Sequence, residues 1–268
     1  MRRVWPLDEG VDPGVELDRD ALAALYAYPA DPADPGRPWV RVNFVASADG
    51  AVAVDGVSGG LAAPGDGELF GLLRELADVV LVGAGTVRAE GYRGARTNPA
   101  REQRRRDRGQ APVPPIAVVS SRGDLDPTAA LFTDTAVAPL VLTAAAGAEQ
   151  ARRALGPAGA EVLAASADDP TVADPDAVLA ALAARGLTRV LCEGGPGLFG
   201  SLLTAGRVDE LCLSLAPQLA GGGPGRIVAG PALDPGRGPR PLALAGVVAH
   251  DDGLLLRYRV TAAGEPQR

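Results

Sequence analysis

The sequence predicts an α/β protein with a doubly wound, mostly parallel sheet that closes with antiparallel strands. Short apolar runs alternate with segments of helical periodicity through the middle of the chain, and this alternation is typical of parallel strands covered by helices on both faces. The last three strand-like runs have no helix between them, which indicates antiparallel pairing. With 268 residues, of which 47% are apolar, the chain is long enough to bury a full core.

The elements follow from periodicity and turn residues. The first 38 residues, rich in Pro, Asp and Ala, are predicted to form an irregular lead-in with one short helix near residues 20–28. Leucines at helical spacing predict a helix over residues 66–77. Other helices are expected at 148–155, at 174–185 and after residue 195, and strands at 39–45, 78–82, 116–119, 140–142, 161–163, 189–192, 208–216, 242–248 and 254–260. No linker divides residues 39–268, which we interpret as a single domain.

Residues 93–114 interrupt this pattern. They contain seven arginines, together with Pro99, Pro112 and Pro114. A run of like charges without apolar periodicity is typical of a solvated surface segment. The sequence therefore predicts a mobile loop here.

Composition excludes several classes of protein. The net charge is −7 and the isoelectric point is near 4.9, which argues against a broad surface for nucleic acid or anionic lipid. All 26 basic residues are arginine. Without lysine the chain has no Schiff-base chemistry, no pyridoxal phosphate attachment, no Walker A lysine and no Tyr-x-x-x-Lys dyad.

The chain has one histidine and two cysteines, which excludes a three-histidine zinc site, and we expect no metal. Cys192 and Cys212 lie in apolar runs and are expected to be buried structural thiols. No leader and no apolar stretch approaching 18 residues is found, so we expect a cytoplasmic protein.

Two glycine-rich turns follow predicted strands, where parallel sheets bind ligands. The first provides Gly83, Gly85 and Thr86, and the second contains Gly195-x-Gly197-x-x-Gly200 before an apolar segment. The second turn matches the dinucleotide fingerprint, which places a pyrophosphate at a helix N-terminus. The acidic residue expected about 20 positions later is missing, so a tight turn without a ligand remains an alternative.

Polar side chains also stand at strand ends. Glu193 follows an apolar strand directly, where a carboxylate is unusual as packing and suits a ligand contact. Asn43, Ser47 and Asp49 lie at the end of the strand that begins at residue 39. Asp49 followed by Gly50 is equally typical of a simple turn.

Together these segments resemble a known family. They read RVNFVASADG (41–50), SGG (58–60), LLRELADVVLVGAGTVRAEGY (72–92), VLCEGGPGLFGSLL (190–203) and VDELCLSLAPQLAGG (208–222). Over residues 38–260, in order and spacing, they resemble the reductase domain of the riboflavin-pathway deaminase-reductases, in its single-domain, actinobacterial form. The resemblance implies a dihydrofolate reductase-like fold, NADPH as cofactor and a small-molecule substrate, and it suggests a homodimer.

The resemblance also implies roles for individual residues. Cofactor contacts are expected at Val45, Thr86, Glu90, Gly194, Gly195, Pro196, Gly197 and Leu198. Substrate contacts are expected at Ser58, Arg74 and Glu193, with Arg74 as a partner for the substrate phosphate, and further ones at Arg93 and Arg96. Ser120, Ser121 and Arg122 follow a strand and are predicted to hold the 2′-phosphate of NADPH.

The implied reaction is hydride transfer from NADPH to C1′ of a ribosylamino-pyrimidine phosphate, with Glu193, Asp49 and Asn43 as the candidate catalytic residues. Departures from the family leave alternatives open. Asn43 stands where longer members commonly have lysine, Glu90 where they have aspartate, and Gly60 where they have tryptophan. Reduction of another heterocycle, such as dihydrofolate, and a non-catalytic NADPH-binding protein are the alternatives.

Overall fold

The computed structural model describes residues 1–5, 15–30, 36–61, 63–223, 225–233 and 238–261. The strands are β1 (Arg2–Trp5), β2 (Trp39–Ser47), β3 (Val79–Gly83), β4 (Ile116–Val119), β5 (Leu140–Thr143), β6 (Glu161–Ala164), β7 (Arg189–Cys192), β8 (Glu210–Ala216), β9 (Leu242–His250) and β10 (Gly253–Val260). The helices are α1 (Arg19–Leu25), α2 (Asp66–Leu76), α3 (Ala84–Ala89), α4 (Pro99–Asp107), α5 (Ala130–Thr133), α6 (Ala145–Leu155), α7 (Pro175–Ala183) and α8 (Pro196–Thr204).

The described strands form one sheet in the order β1-β9-β10-β8-β2-β7-β3-β4-β5-β6. From β8 to β6 all neighbours are parallel, and β10, β9 and β1 continue the sheet with antiparallel pairs. A short turn at residues 251–252 joins β9 to β10, as antiparallel neighbours allow. The predicted fold class is confirmed.

Helices cover both faces of the sheet. On β3, Val80 and Val82 point into a core shared with α1, α2 and α6, while Val79 and Leu81 point into a second core shared with α7 and α8. Because side chains alternate along a strand, a strand buried on both faces is a continuous apolar run. This is why the period-2 pattern is missing from the central strands.

The lead-in is less irregular than predicted. Residues 2–5 form the edge strand β1, which pairs with β9, and the short helix lies at Arg19–Leu25 with Asp18 capping it. A four-residue strand of mixed composition carries little signal of its own, and its partner lies more than 200 residues away. Interpretation of residues 39–268 as one domain stays a prediction.

The prediction of a loop over residues 93–114 is wrong for its middle part, which forms α4. Asn98 caps this helix by accepting from the N–H of Arg101, and Pro99 occupies the first turn, a standard start signal. Arg105 is fully buried and donates to the carbonyl oxygens of Glu75 and Ala77, at 2.7 and 2.6 Å. It thereby satisfies carbonyl groups at the end of α2 that have no partner within that helix.

Cys192 and Cys212 are buried and free, and burial raises the pKa of each thiol to about 12. Within the described residues no helix is long and apolar enough to cross a membrane. The same part of the chain contains no group of three or more His, Cys, Asp or Glu residues placed to hold a metal ion.

Candidate functional site

A cavity of about 1000 Å³ opens at the carboxyl ends of β2, β3 and β7. It brings together most residues that the sequence pointed to: Asn43, Val45, Ser58, Arg74, Gly83, Gly85, Thr86, Glu90, Arg93, Arg96, Glu193, Gly195, Pro196, Gly197 and Leu198. Segments separated by more than 100 residues meet here because parallel strands place their carboxyl ends at one edge of the sheet.

The two glycine-rich turns pack directly against each other. The N–H of Gly83 donates to the carbonyl oxygen of Gly194 at 2.8 Å. A Cβ added at Gly195 would lie 2.4 Å from Oγ1 of Thr86, and one at Gly194, where φ is +86°, would lie 2.9 Å from the ring of Phe44. Glycine is therefore required at position 195 by the contact between the turns, and at position 194 by the positive φ and the approach to Phe44 of β2, whether or not a ligand binds.

The N-terminus of α8, unlike the packed glycines at positions 194 and 195, is open to the cavity. Gly195 is its N-cap and supplies no side-chain hydrogen bond, so the amides of the first turn lack the side-chain cap that most helices have. A Cβ added at Gly197 would meet nothing within 4 Å. The backbone is thus open to the cavity at this point, which suits the approach of an anionic group to the helix.

Glu193 is the centre of a buried polar cluster. Its side chain is 2% exposed and accepts hydrogen bonds from Nε and Nη2 of Arg74, both at 2.6 Å. The hydroxyl of Tyr92 donates to the same carboxylate at 2.6 Å. The Arg74 guanidinium lies over the ring of Phe70, 4.4 Å from its centre.

Charge and burial fix the protonation states of Arg74 and Tyr92. Burial would lower the pKa of Arg74, but the adjacent carboxylate of Glu193 raises it above its ordinary value. Burial, reinforced by the charge of Glu193, raises the pKa of Tyr92 well above its usual range. Arg74 therefore stays charged and Tyr92 stays protonated, and both act as donors to Glu193 at neutral pH.

This geometry bears on the expected partner of the substrate phosphate. Nε and Nη2 of Arg74 donate to Glu193 in a bidentate pair, and the other N–H groups of its guanidinium are not used in that pair. We therefore interpret Arg74 as the residue that orients Glu193, and its contact with the substrate phosphate stays a prediction.

Two other residues in the wall of the cavity, Glu90 and Asn43, have informative hydrogen bonding. The carboxylate of Glu90, at the end of α3, accepts from the N–H of Ser58 at 2.7 Å and so ties the short turn at residues 58–61 to that helix. Asn43 is 8% exposed, and its side-chain oxygen has no hydrogen-bond partner among the residues that the structure describes. Because buried polar atoms are normally paired, this oxygen is suited to a ligand donor.

Asp49 does not line the cavity. Its carboxylate accepts from the hydroxyl of Ser47 and from the N–H groups of Ala220 and Gly221, at 3.1 and 2.8 Å. These hydrogen bonds lower its pKa to about 2. The contacts favour a role in bracing the loop after β8, and the predicted catalytic role of Asp49 has no geometric support.

Ser120, Ser121 and Arg122 also lie outside the cavity wall, in the turn after β4. Arg122 pairs with Asp124 at 3.1 Å, and Arg88 of α3 approaches the same carboxylate at 4.0 Å. The turn is therefore a neighbour of the cavity along the sheet edge. Its role toward a 2′-phosphate stays a prediction.

Several residues that line the cavity had no role assigned from the sequence, among them Asp66, Phe70, Tyr92 and Arg101. Phe70 and Arg74 are four positions apart on α2 and therefore share one face of the helix. Their proximity could have been predicted from the sequence. Arg101 was hidden in the arginine run, where no periodicity distinguishes one arginine from the next.

Comparison with known proteins shows which family the chain is similar to. Residues 38–256 match the family described as the RibD C-terminal domain. A 2,5-diamino-6-ribosylamino-4(3H)-pyrimidinone 5′-phosphate reductase of Archaeoglobus fulgidus is 30% identical over 69% of this chain and 83% of its own length. The riboflavin biosynthesis protein RibD of Mycobacterium tuberculosis is 31% identical over 70% of this chain, and the match spans 44% of that longer protein.

Comparison with solved structures agrees with the family match. A pyrimidine reductase-like protein of Corynebacterium diphtheriae superposes with a TM-score of 0.73 at 26% identity, covering 89% of this chain and 98% of that one. The family match spans most of the chain and includes both glycine-rich turns and Glu193. The chain therefore belongs to the RibD C-terminal domain family, which confirms the resemblance seen in its motifs.

Proposed function

We propose that the protein is an NADPH-dependent reductase of a ribosylamino-pyrimidine phosphate in riboflavin biosynthesis. One observation carries the proposal: the open N-terminus of α8 and the Glu193–Arg74–Tyr92 cluster face a single cavity of about 1000 Å³. Such a volume suits a cofactor end and a small substrate together. The name of the archaeal relative supports this substrate class.

The residues at the glycine-rich end fit NADPH, which supplies the hydride when bound. Uncapped amides at the start of α8 would hold the pyrophosphate, with Thr86 and Val45 beside it. The turn at residues 120–122 would discriminate the 2′-phosphate through Arg122. The protein's part is to align the two reactants and exclude water.

The residues at the other end fit the substrate. Ring opening of the ribosylamino group moves a proton from nitrogen to the ring oxygen and leaves a C=N bond. Addition of a hydride to C1′ and of one proton to nitrogen then gives the amine. The carboxylate of Glu193, fixed by Arg74 and Tyr92, would stabilise positive charge at the C=N group as the hydride arrives. Asn43 would accept a hydrogen bond from the heterocycle.

The cofactor part of the proposal is tested by titrating NADPH and NADH calorimetrically into wild type and Gly197→Val. We expect NADPH to bind at least about 10-fold more tightly than NADH, since the 2′-phosphate adds a charge-assisted contact. The valine projects into open space at the start of α8 and should weaken NADPH binding by at least about 10-fold.

Gly67→Val is the matched control, because Gly67 is also the second residue of a helix with nothing within 4 Å of an added Cβ, and it does not line the cavity. It should bind NADPH like wild type. Equal affinities of a folded Gly197→Val variant and wild type would remove this turn from the cofactor site.

Turnover separates the candidate substrates. NADPH oxidation should rise with 5-amino-6-(5-phosphoribosylamino)uracil or its diamino analogue and not with dihydrofolate. Dihydrofolate is tested as the second candidate substrate because Asn43 is neutral, whereas longer family members commonly have a cationic lysine at this position. Binding of NADPH without oxidation in the presence of any of these compounds would favour a non-catalytic binder.

We also propose a homodimer and a cytoplasmic location. The strands β8, β9 and β10 carry half-buried apolar side chains, and Leu254 is 39% exposed. Two free, buried thiols suit a reducing compartment. Light scattering on the purified protein gives the mass that decides between monomer and dimer.

A further inference from the structure

A second cavity, of about 740 Å³, lies at the opposite edge of the sheet from the candidate site. It opens where β2 and β7 begin, with Trp39 and Arg189 in its wall. Residues of α1 and Leu76, the last residue of α2, also contribute to the wall. Among the described residues the two cavities share no wall residue, so the function proposed above makes no use of this one.

Three arginines from distant parts of the chain line this second cavity. Each is fixed by a carboxylate that lies outside the described wall. The three side chains keep partial exposure, at 29%, 29% and 34%. In the same order, the pairs are Arg37 with Asp209, Arg108 with Glu75, and Arg189 with Asp78.

These ion pairs leave guanidinium N–H groups unused. Nε of Arg108 and Nη1 of Arg189 donate to no described residue, and neither nitrogen is buried. Nη1 of Arg37 is buried and also lacks a partner in the described part of the chain. Because a guanidinium has five N–H donors, one carboxylate does not satisfy all of them. The wall therefore presents donors that are held in place and available to a ligand.

Positive charge exceeds negative charge around this cavity even when every paired carboxylate is counted. Asp20 is the one carboxylate in the described wall. Glu75 is shared, because Arg19 and Arg104 bind it as well and Arg101 lies 3.8 Å from it. The wall and the groups paired with it thus hold six arginines against four carboxylates, in a chain whose net charge is −7. A local surplus of this kind in an acidic protein favours an anionic ligand.

The rest of the wall is largely apolar and aromatic. Trp39 and Tyr28 line the cavity together with small side chains such as Ala23 and Ala27. The guanidinium of Arg41 lies 4.2 Å from the centre of the Tyr28 ring and stabilises the position of that ring. The indole nitrogen of Trp39 and the hydroxyl of Tyr28 have no partner among the described residues. Aromatic rings beside fixed cations suit a ligand that carries both a ring and an anionic group.

We propose that the cavity at the start of β2 and β7 binds a small aromatic phosphate of mononucleotide size. Guanidinium groups match the oxygens of a phosphate in geometry and charge, so Arg37, Arg108 and Arg189 would hold the phosphate. Trp39 and Tyr28 would contact the ring. The volume of about 740 Å³ is within the range of small-molecule sites.

Phenyl phosphate is the probe that tests this proposal, and the fluorescence of Trp39 reports its binding. The chain has two tryptophans, so Trp5→Phe, a change on the edge strand β1, leaves Trp39 as the only one. In this background we expect the fluorescence of Trp39 to change saturably with phenyl phosphate. Inorganic phosphate and phenol should each bind at least about 10-fold more weakly, because each lacks one half of the ligand.

Arg108→Met and Arg104→Met are a matched pair of variants. Both arginines bind Glu75 and their side chains are 29% and 31% exposed, but only Arg108 lines the cavity. Arg108→Met should weaken phenyl phosphate binding by about 10-fold, whereas Arg104→Met should keep it within about 2-fold of the parent. Asp20→Asn should strengthen binding by about 2- to 3-fold, since it removes the carboxylate from the described wall.

Three results would contradict the proposal. A fluorescence of Trp39 that does not respond to phenyl phosphate would overturn the site. Equal losses of affinity in Arg104→Met and Arg108→Met would overturn it too, since the effect would then come from Glu75 and not from the wall. Equal affinities for phenyl phosphate and inorganic phosphate would overturn the assignment of an aromatic ligand. The titration uses no NADPH, so a failure of the proposed function leaves this test unchanged.

Discussion

Glu193→Gln is expected to reduce the turnover number by about 10²- to 10³-fold, the usual effect of removing a preorganised electrostatic contact to the reacting group. The substitution keeps the shape of the side chain and removes its negative charge, so positive charge at the C=N group is no longer stabilised. Steady-state rates of NADPH oxidation measure this. The affinity for NADPH should change little, because Glu193 lies between β7 and the cofactor turn and bonds to Arg74 and Tyr92.

Tyr92→Phe is the graded companion of this change. It removes one hydrogen bond to Glu193 and leaves the charge pair with Arg74 intact, so we expect a decrease of about 3- to 10-fold, in line with the loss of a single hydrogen bond. Both variants should be checked for cooperative thermal unfolding. Turnover of a folded Glu193→Gln variant within a factor of about 3 of wild type would refute the catalytic role.

Glu75→Gln is expected to lower the free energy of unfolding by about 3 kcal/mol at neutral pH. Breaking a buried ion pair by removing one partner leaves buried charge without compensation, here on several arginines at once. The arginine side chains are about one third exposed, so solvent reduces the effect below that of a fully buried pair. Urea unfolding followed by circular dichroism measures the difference.

The stabilising contribution of Glu75 should depend on pH, and the direction of this dependence follows from its pKa. Burial would raise the pKa of Glu75, but hydrogen bonds from Arg104, Arg19 and Arg108 outweigh burial and lower it from 4.5 to about 2. A lowered folded-state pKa contributes stability above the unfolded-state value, and this contribution is lost as the pH falls toward the folded-state value. The stability difference between wild type and Glu75→Gln should therefore be complete above about pH 5 and shrink as the pH falls toward 2.

Glu68→Gln is the matched control on the same helix, since Glu68 is exposed. It should change the free energy of unfolding by less than about 0.5 kcal/mol. A difference between wild type and Glu75→Gln that is absent at pH 7, or constant from pH 7 to pH 3, would contradict the role given to the Glu75 cluster.

The sequence by itself determined the order of the strands from residue 39 onward, the presence of α2, α6, α7 and α8, and the edge of the sheet where the candidate site lies. These features depend on local patterns, because leucine spacing, apolar runs and glycine-rich turns act within a few residues of one another. Glu193 could be singled out for the same reason, since a carboxylate directly after an apolar strand is a local signal. The ends of the elements were predicted less accurately than their order: α6 begins at Ala145, whereas the sequence predicted a start at residue 148.

Only the tertiary structure decided how the charges are paired. Arg104 and its partner Glu75 are 29 positions apart, and Arg74 and Glu193 are 119 apart, so no local pattern connects them. The arginine run looked like a solvated loop because its order comes from Arg105 binding the carbonyl groups of α2. Each arginine in that run has the same local signal, and its role depends on which carboxylate or carbonyl the folded chain places beside it.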